Sequence, residues 1–478
     1  MILRATKKKG QAEIEEVKRD TLDSAFIDYY RCPQSLANFT LTGHPSWGRG
    51  FFQFGADATC YGRCSGGAPS ERVSGELYDA MTDVVANEKM VQLSFNPSEV
   101  IADLRYERYA SSENGAGAAD GAMALRRKAY YCVRPLLPVW VRKHLQRMQL
   151  RDWKKIPFPA WPVDATVERI LKRLLVLLLK AGTIERMPFI WFWPNGASSA
   201  AVVTHDVETE AGRDSCSNLM DLDHAYGIRS SFQIIPERRY AVSPSWLDQI
   251  RRRGFEVNVH DLNHDGRLFD NREKFLLRAK RINRYGQEYG ASGFRSAALY
   301  RNFDWYGALN FSYDMSVPSV GHLEAQRGGC CSVMPYFIGK ILELPLTTTQ
   351  DYSLFHILHQ YSTDLWKCQA ARIINEYGLI SFIVHPDYLI ERRARETYKS
   401  LLAYLAELQS EGKVWIALPG EVNEWWRARS QMKLLWQGTG WRIEGPQKAR
   451  ARVAYAVLKG DGLAYEFAPD EDRGVRAG

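Results

Sequence analysis

The stretch FEVNVHDLNHDG, residues 255–266, joins an alternating apolar run to two histidines four positions apart. The preceding residues, PSWLDQIRRRG, predict a helix that ends at Gly254, so the next six residues predict a β-strand. His260 closes this strand, and His264 follows in a polar segment with acidic neighbours. If the residues after His260 coil, a spacing of four brings both imidazoles to one side. The stretch therefore predicts either a metal site at a strand end or a polar turn that holds two histidines.

The same spacing occurs in the zinc-protease helix H-E-x-x-H, which needs a catalytic glutamate after the first histidine. Here Asp261 follows His260, and the residues before it alternate as a strand does. The protease interpretation is therefore excluded.

Outward from this stretch, strand-like and helix-like segments alternate between about residue 198 and residue 426. SAAVVTHD, RSSFQIIP, SGFRS and GLISFIVHP predict strands, and REKFLLRAKRINRYGQEYG and ERRARETYKSLLAYLAELQSEG predict helices. Repeated βα units of this length predict a parallel sheet with helices outside, open or closed into a barrel. Polar residues follow several of the strands, at the carboxyl ends where such folds place active sites.

The flanking regions have a different pattern. Short apolar runs with Gly, Pro and Asn predict strands and loops over 1–110, and the small, polar segment 111–124 predicts a linker. Two basic apolar helices are predicted, one from Pro138 to 150 and one from an Asp164 N-cap to Gly182. We expect an N-terminal α+β extension (1–190), a catalytic domain (195–426), and a small β element with a charged tail (430–478).

Composition limits the classes of function. The chain has 478 residues, 45% hydrophobic and 25% charged, with a net charge of +8 that is spread out rather than concentrated in a basic block. This pattern does not indicate nucleic-acid binding. The start has no apolar signal region, and the most hydrophobic run, LLVLLL at 174–179, is too short to span a bilayer. We expect a cytoplasmic protein with reduced thiols, with peripheral membrane contact through the two basic helices as an alternative to their packing on the barrel.

The cysteines offer a second possible metal site. Cys60 and Cys64 in CYGRC, with Cys32, have ligand chemistry suited to zinc. No second closely spaced pair follows, so we interpret all three as buried, reduced thiols.

Several strand ends carry groups that suit one shared site. VVTHDVE supplies Asp206 and Glu208, GFRS supplies Arg295, and SFIVH supplies His385, in addition to the histidine pair. Imidazole and carboxylate together are a good ligand set for zinc. Each group alone has a structural reading, as a helix cap, an ion pair or a core histidine. Their shared position at the ends of strands in one βα series favours a site.

The order of these motifs resembles that of the NodB-type polysaccharide deacetylases, the carbohydrate esterases of family 4. The resemblance covers about 195–426: THDVE as first motif, the histidine pair as second, arginine as third, an Asp-Trp motif as fourth, and FIVHP as fifth. It implies a distorted (β/α) barrel, a metal held by one acid and two histidines, an aspartate base and a late histidine acid.

Carried over by position, the resemblance implies that Asp206 is the base and that Glu208, with the histidine pair, binds the metal. Glu208 is displaced by one position and is not Asp, so either acid remains a candidate ligand. Arg295 is implied to hold the base, although RSAALY lacks the usual proline, and His385 is implied to be the acid. For the fourth motif we favour Asp314, as the residue that orients His385, over Asp304-Trp305. Asp261 is a candidate acceptor for an imidazole N–H.

The resemblance implies a metal-dependent hydrolase, with Zn²⁺ as the expected ion, that removes an N-acetyl or related acyl group from a sugar or glycan precursor. A cytosolic location favours a nucleotide-linked or lipid-linked sugar. Two alternatives remain: a barrel that binds a glycan without hydrolysing it, and an assembly protein whose N-terminal portion contacts partners. The sequence predicts no oligomeric state.

Overall fold

The N-terminal part of the chain forms short helices and strands around an aromatic core. A computed structural model describes residues 21–87, 90–113, 148, 150–182, 184–438, 440–460 and 462–468. The elements are α1 (Ser24–Tyr30), β1 (Phe39–Leu41), β2 (Gly50–Gln53), β3 (Thr59–Gly62), β4 (Val85–Asn87), β5 (Met90–Leu93), α2 (Pro97–Arg105) and α3 (Arg108–Glu113). Here β1 runs parallel to β5, β4 runs antiparallel to β5, and β2 pairs with β3.

The second predicted basic helix is α4 (Thr166–Lys180), which precedes β6 (Arg186–Ile190). Asp164 accepts a hydrogen bond from the Thr166 N–H at 2.8 Å, and Gly182 has the positive φ typical of a residue after a helix end. Ten of its fifteen residues are buried. This helix therefore packs in the core, and its apolar face is not left for a membrane surface.

The predicted alternation of strands and helices is confirmed. The strands are β7 (Ser199–Val207), β8 (Ser231–Ile234), β9 (Glu256–His260), β10 (Gly293–Arg295), β11 (Tyr313–Asp314), β12 (Tyr336–Ile338), β13 (Ile341–Glu343), β14 (Leu379–Ile383) and β15 (Val414–Ile416). The helices are α5 (Glu210–Ala225), α6 (Pro244–Arg252), α7 (Arg272–Glu288), α8 (Asp364–Asn375), α9 (Arg392–Ser410) and α10 (Pro419–Gln431). Short 3₁₀ helices and one π-helix (Ser353–Ile357) lie between them.

These nine strands form one sheet in the order β12-β13-β11-β10-β9-β8-β7-β14, with β15 also beside β7. All neighbours run parallel except β12, which is antiparallel to β13. The Thr347 and Thr348 hydroxyls, which follow β13, donate to carbonyl oxygens of Leu379 and Ser381 on β14, both at 2.7 Å. The sheet is therefore curled, and the segment after β13 contacts β14 through side chains. Between β13 and β14 no strand ladder is described, so the complete (β/α) barrel is not confirmed.

Parallel strands covered on both faces are expected to be apolar throughout, and every residue of β7 is buried. The carboxyl ends of parallel strands lie at one edge of a sheet. This edge therefore holds the residues at the ends of β7, β9, β10 and β14.

A C-terminal β element follows α10. It consists of β16 (Lys433–Trp436), β17 (Trp441–Glu444), β18 (Val453–Lys459) and β19 (Gly462–Phe467), and β18 pairs with β6. One core cluster includes apolar residues of the N-terminal part, of β18 and of the nine-stranded sheet. The predicted domain boundaries stay predictions.

Some predicted segments lie outside the described residues: most of the linker 111–124, nearly all of the helix from Pro138, and the charged tail. Among the helices that are described, none combines the length and the apolar character needed to cross a membrane.

Candidate active site

Two acids at the end of β7 point to the same side of the sheet. Asp206 and Glu208 are two positions apart, and alternate residues of a strand share a face. Val207, between them, packs in the apolar core on the other face. The side chain of Asp206 is buried, while that of Glu208 is 24% exposed and forms the open side of the site.

Arg295 binds Asp206 from the neighbouring part of the sheet. Its Nη1 lies 2.5 Å from Asp206 Oδ1 and also donates to the Thr204 hydroxyl at 2.8 Å, while its Nε donates to the Met315 carbonyl at 3.0 Å. Burial raises the pKa of Asp206, but Arg295 and two nearby imidazoles, those of His260 and His385, outweigh burial and lower it. Asp206 is therefore an ionised carboxylate held in a fixed orientation.

The two histidines of the opening stretch converge on Glu208. His260 ends β9, and the chain then turns through Asp261 and His264, both with φ near +55° (55° and 53°). The two imidazole rings lie 4.8 Å apart. From the Nε2 atoms of His260 and His264 to Glu208 Oε1, the distances are 3.7 and 2.8 Å.

These three side chains fit a divalent metal ion. Their ligand atoms lie within 4.8 Å of one another, and no other such group occurs among the described residues. The Nε2 atom of His260 is buried and makes no hydrogen bond, and that of His264 faces Glu208 Oε1 at 2.8 Å. The His260 Nδ1–H donates to the Arg295 carbonyl at 3.1 Å, which leaves the Nε2 lone pair facing the cluster. Burial raises the pKa of Glu208, but His264, His260 and His385 lower it well below its usual value.

Arg239 supports the second histidine. Its Nη2 donates to the His264 carbonyl at 2.7 Å and lies 3.3 Å from His264 Nδ1. The first contact holds a backbone conformation that a histidine adopts only at a cost. Because a guanidinium only donates, the second contact favours the proton on Nε2. Metal binding at that nitrogen by a neutral imidazole therefore requires the proton to move to Nδ1.

His385 lies on the other side of Glu208, just beyond β14. Its Nδ1–H donates to Asp351 Oδ1 at 2.7 Å, and its backbone N–H donates to Asp351 Oδ2 at 2.7 Å. Its Nε2 is 3.4 Å from Glu208 Oε1. Burial lowers the pKa of His385, but Asp351 and Glu208 together raise it well above its usual value. The ring is therefore held in one orientation as a proton donor.

The prediction that Asp314 orients His385 is wrong. Asp314 ends β11, where it accepts hydrogen bonds from Ser316 and Tyr306 and faces Glu343 on β13. Burial raises the pKa of both carboxyl groups, and Asp314 raises that of Glu343 further, so this pair retains a proton. The partner of His385 is instead Asp351, which follows the apolar segment ILELPL. That segment followed by TTTQD shows the same apolar-to-polar change as the other strand ends.

Two other candidates do not have the predicted roles. Asp304 is exposed in a 3₁₀ helix, and Trp305 packs on Phe275. Asp261 is not the acceptor for an imidazole N–H, because its Oδ1 accepts from the Leu262 N–H and its Oδ2 has no hydrogen bond.

The cysteine site is not formed by the described residues. Cys32, Cys60 and Cys64 are buried free thiols, and burial raises the pKa of each. This agrees with their interpretation as reduced core residues.

Aromatic side chains that the sequence reasoning missed flank His385. The Tyr388 ring lies 4.7 Å from the His385 ring, and His356 and Tyr352 lie 4.9 and 6.1 Å from Tyr388. All three are partly exposed, and His356 is part of the π-helix that follows Asp351. They form an aromatic wall beside the proposed acid.

No protein-family model matches the chain, and no curated protein sequence matches it. Solved structures do match. A Mycobacterium smegmatis protein described provisionally as a polysaccharide deacetylase has a TM-score of 0.42 at 16% identity, over 52% of this chain and 98% of that one. The PuuE allantoinase has a TM-score of 0.38 at 13% identity, over 49% of this chain and 92% of that one. The peptidoglycan deacetylase PdaC from Bacillus subtilis has a TM-score of 0.31 at 12% identity, over 47% of this chain and 90% of that one.

Proteins described as deacetylases are thus among the solved structures that match this chain. The identities and TM-scores are low, and about half of the chain is covered.

Proposed function

We propose that the protein is a metal-dependent hydrolase that removes an N-acetyl or related acyl group from a sugar or glycan precursor. One observation carries the proposal: a Glu208–His260–His264 cluster lies between a carboxylate fixed by arginine and a histidine fixed by aspartate. A ligand set, a base and an acid are the three parts that metal-assisted amide hydrolysis needs.

Glu208, His260 and His264 would hold the ion, with Zn²⁺ favoured by the carboxylate and imidazole ligands. When bound, such an ion polarises the acyl carbonyl and lowers the pKa of a water molecule. Three protein ligands leave a position open for water or substrate, as in other catalytic zinc sites.

Asp206 and His385 provide the proton transfers. Asp206 accepts a proton from the attacking water, whose oxygen bonds to the carbonyl carbon, and Arg295 keeps this carboxylate oriented. The C–N bond then breaks, and His385 Nε2 donates a proton to the departing amine. Asp351 accepts the Nδ1–H and stabilises the imidazolium before that step. The products are a carboxylate and a free amine.

Two features support a carbohydrate substrate. The aromatic wall of Tyr352, His356 and Tyr388 adjoins His385, where the leaving amine would lie, and sugar rings pack on aromatic faces. The similar structures include proteins described as acting on polysaccharide and peptidoglycan. We further propose a cytoplasmic sugar precursor as the substrate.

Elemental analysis of the purified chain, paired with acetate release from a panel of N-acetylated sugars, tests the proposal. We expect about one zinc per chain and acetate release that a chelator abolishes. His385→Ala should keep zinc and lose most amide hydrolysis. A zinc-loaded protein that binds these sugars and releases no acetate would instead support a glycan-binding role.

A further inference from the structure

A tyrosine hydroxyl joins the ends of two parallel strands beside Glu208. Tyr240 Oη accepts a hydrogen bond from the Ile235 N–H at 2.9 Å and donates one to the Val207 carbonyl at 2.6 Å. Its ring packs edge-on against Trp246 at 6.0 Å. The hydroxyl is thus fixed by two backbone groups and by the packing of its own ring.

The hydroxyl occupies the place where the next hydrogen bond of the β7–β8 ladder would form. β7 and β8 pair as far as Val207 and Ile234, and a direct bond from the Ile235 N–H to the Val207 carbonyl would continue the ladder by one step. The hydroxyl stands between these two groups. The strand ends are therefore held further apart than a direct hydrogen bond of about 2.9 Å would place them.

The separation begins one residue before Glu208. A metal ligand needs its carboxylate aimed at the ion, and Glu208 Oε1 lies 2.8 Å from His264 Nε2. Among the described residues, no hydrogen bond joins the Glu208 side chain to the backbone of β8 or β9 and fixes this direction. The position of the Val207 backbone therefore determines the position of the Glu208 Cα, from which the side chain extends.

We propose that Tyr240 is a positioning residue for the metal site: its hydroxyl separates the ends of β7 and β8 and so aims Glu208 at His260 and His264. The inference rests on the proposed metal site. Tyr240 would thus orient Glu208 without contacting the imidazole of His260 or of His264.

Tyr240→Phe tests the inference because it removes only the hydroxyl. Groups that orient metal ligands typically contribute about 10–100-fold to metal affinity. We expect the zinc dissociation constant, measured by competition with a chromophoric chelator, to rise by roughly this factor. This measurement needs no turnover. Unchanged zinc affinity in a folded Tyr240→Phe variant would overturn the inference.

Tyr109→Phe is the matched control. The Tyr109 hydroxyl is buried and donates to the Gly329 carbonyl at 2.6 Å, the same distance as in the Tyr240 bond, but Tyr109 is on α3, which carries no metal ligand. Both variants should lose a similar increment of thermal stability. Only Tyr240→Phe should lose zinc affinity, and equal affinity losses in both variants would mean a general effect on packing.

A measurement on the wild type covers the case in which Tyr240→Phe does not fold. Coupling between two sites is reciprocal, so zinc must in turn stabilise the Tyr240 bridge. We expect zinc to slow amide hydrogen exchange in the peptide that contains Ile235, and no change there would overturn the inference. A wild type that binds no zinc would instead contradict the proposed function.

Discussion

The substitution Asp351→Asn tests the role of Asp351, the hydrogen-bond partner of His385, without changing another side chain of the site. Asp351 accepts two hydrogen bonds at 2.7 Å, from the Nδ1–H and from the backbone N–H of His385. A carboxamide of the same size has one acceptor atom and one donor group. It leaves one of the two N–H groups without an acceptor, or it selects the other tautomer of the ring. In both cases the charge that stabilises the imidazolium is lost.

The size of the effect follows from the task of the acid. General acid–base catalysis contributes about 10²–10⁴-fold. We expect amide hydrolysis by Asp351→Asn to fall about 10³-fold in kcat/KM, or about 4 kcal/mol. An activated ester has a leaving group that needs no proton, so its hydrolysis should fall less than about tenfold. Zinc content should not change.

The assay compares acetate release from an N-acetylated sugar and from an aryl acetate. Asp314→Asn is the control, because it makes the same chemical change at the carboxyl group that the sequence pointed to. It should leave the ratio of the two rates unchanged. Equal losses on both substrates in Asp351→Asn, or the same ratio change in Asp314→Asn, would refute the assignment of His385 as the acid.

The pH profile gives a second readout of the same variant. Burial lowers the pKa of His385, and Asp351 with Glu208 raises it well above its usual value. An enzyme that needs protonated His385 loses activity as the pH rises through that pKa. Without the Asp351 charge the pKa falls, so the loss of amide hydrolysis should begin at a lower pH in Asp351→Asn than in the wild type.

Three further predictions use the remaining groups. Alanine at both His260 and His264 should remove zinc without unfolding the chain, because an open catalytic site is seldom the main source of stability in a large domain; elemental analysis and circular dichroism check this. Asp206→Asn should keep zinc and lose roughly a hundredfold or more in turnover, and loss of zinc instead would make Asp206 a ligand. Burial raises the pKa of Glu168 from 4.5 to about 7, so the wild type should lose about 3 kcal/mol of stability as the pH rises through that interval. In urea unfolding, Glu168→Gln should be more stable than the wild type at pH 8 and nearly equal at pH 5.

Six of the site residues could be predicted because the physics that places them is local. Parallel strands end at one edge, so the polar residues after β7, β9, β10 and β14 meet there without any knowledge of the loops between them. The period of two along a strand also explains why Glu208, and not Val207, faces the cluster. Glu208, whose displacement by one position left the metal ligand of the first motif ambiguous, therefore lies on the same face as Asp206.

Asp351 and Tyr240 could not be predicted in the same way. Asp351 comes eight residues after β13, at the end of a segment that is extended but pairs with β14 only through threonine hydroxyls. Tyr240 lies in the loop between β8 and α6, and its role depends on two backbone groups of other segments. Contacts of this kind depend on tertiary packing, which the hydrophobic period and the composition of the sequence do not predict. The same threonine contacts link the segment after β13 to β14 without a strand ladder.

The N-terminal part takes part in the structure around the site, so its role must be tested by point substitution. Glu107, between α2 and α3, forms a buried two-bond ion pair with Arg301, at 2.5 and 2.7 Å. Arg301 follows Arg295 by six residues, in the segment that leaves β10. Removing residues 1–190 would take away the carboxylate partner of Arg301 and would also expose the shared apolar core. Loss of activity after that deletion would report unfolding of the sheet edge and not the loss of a partner-binding surface.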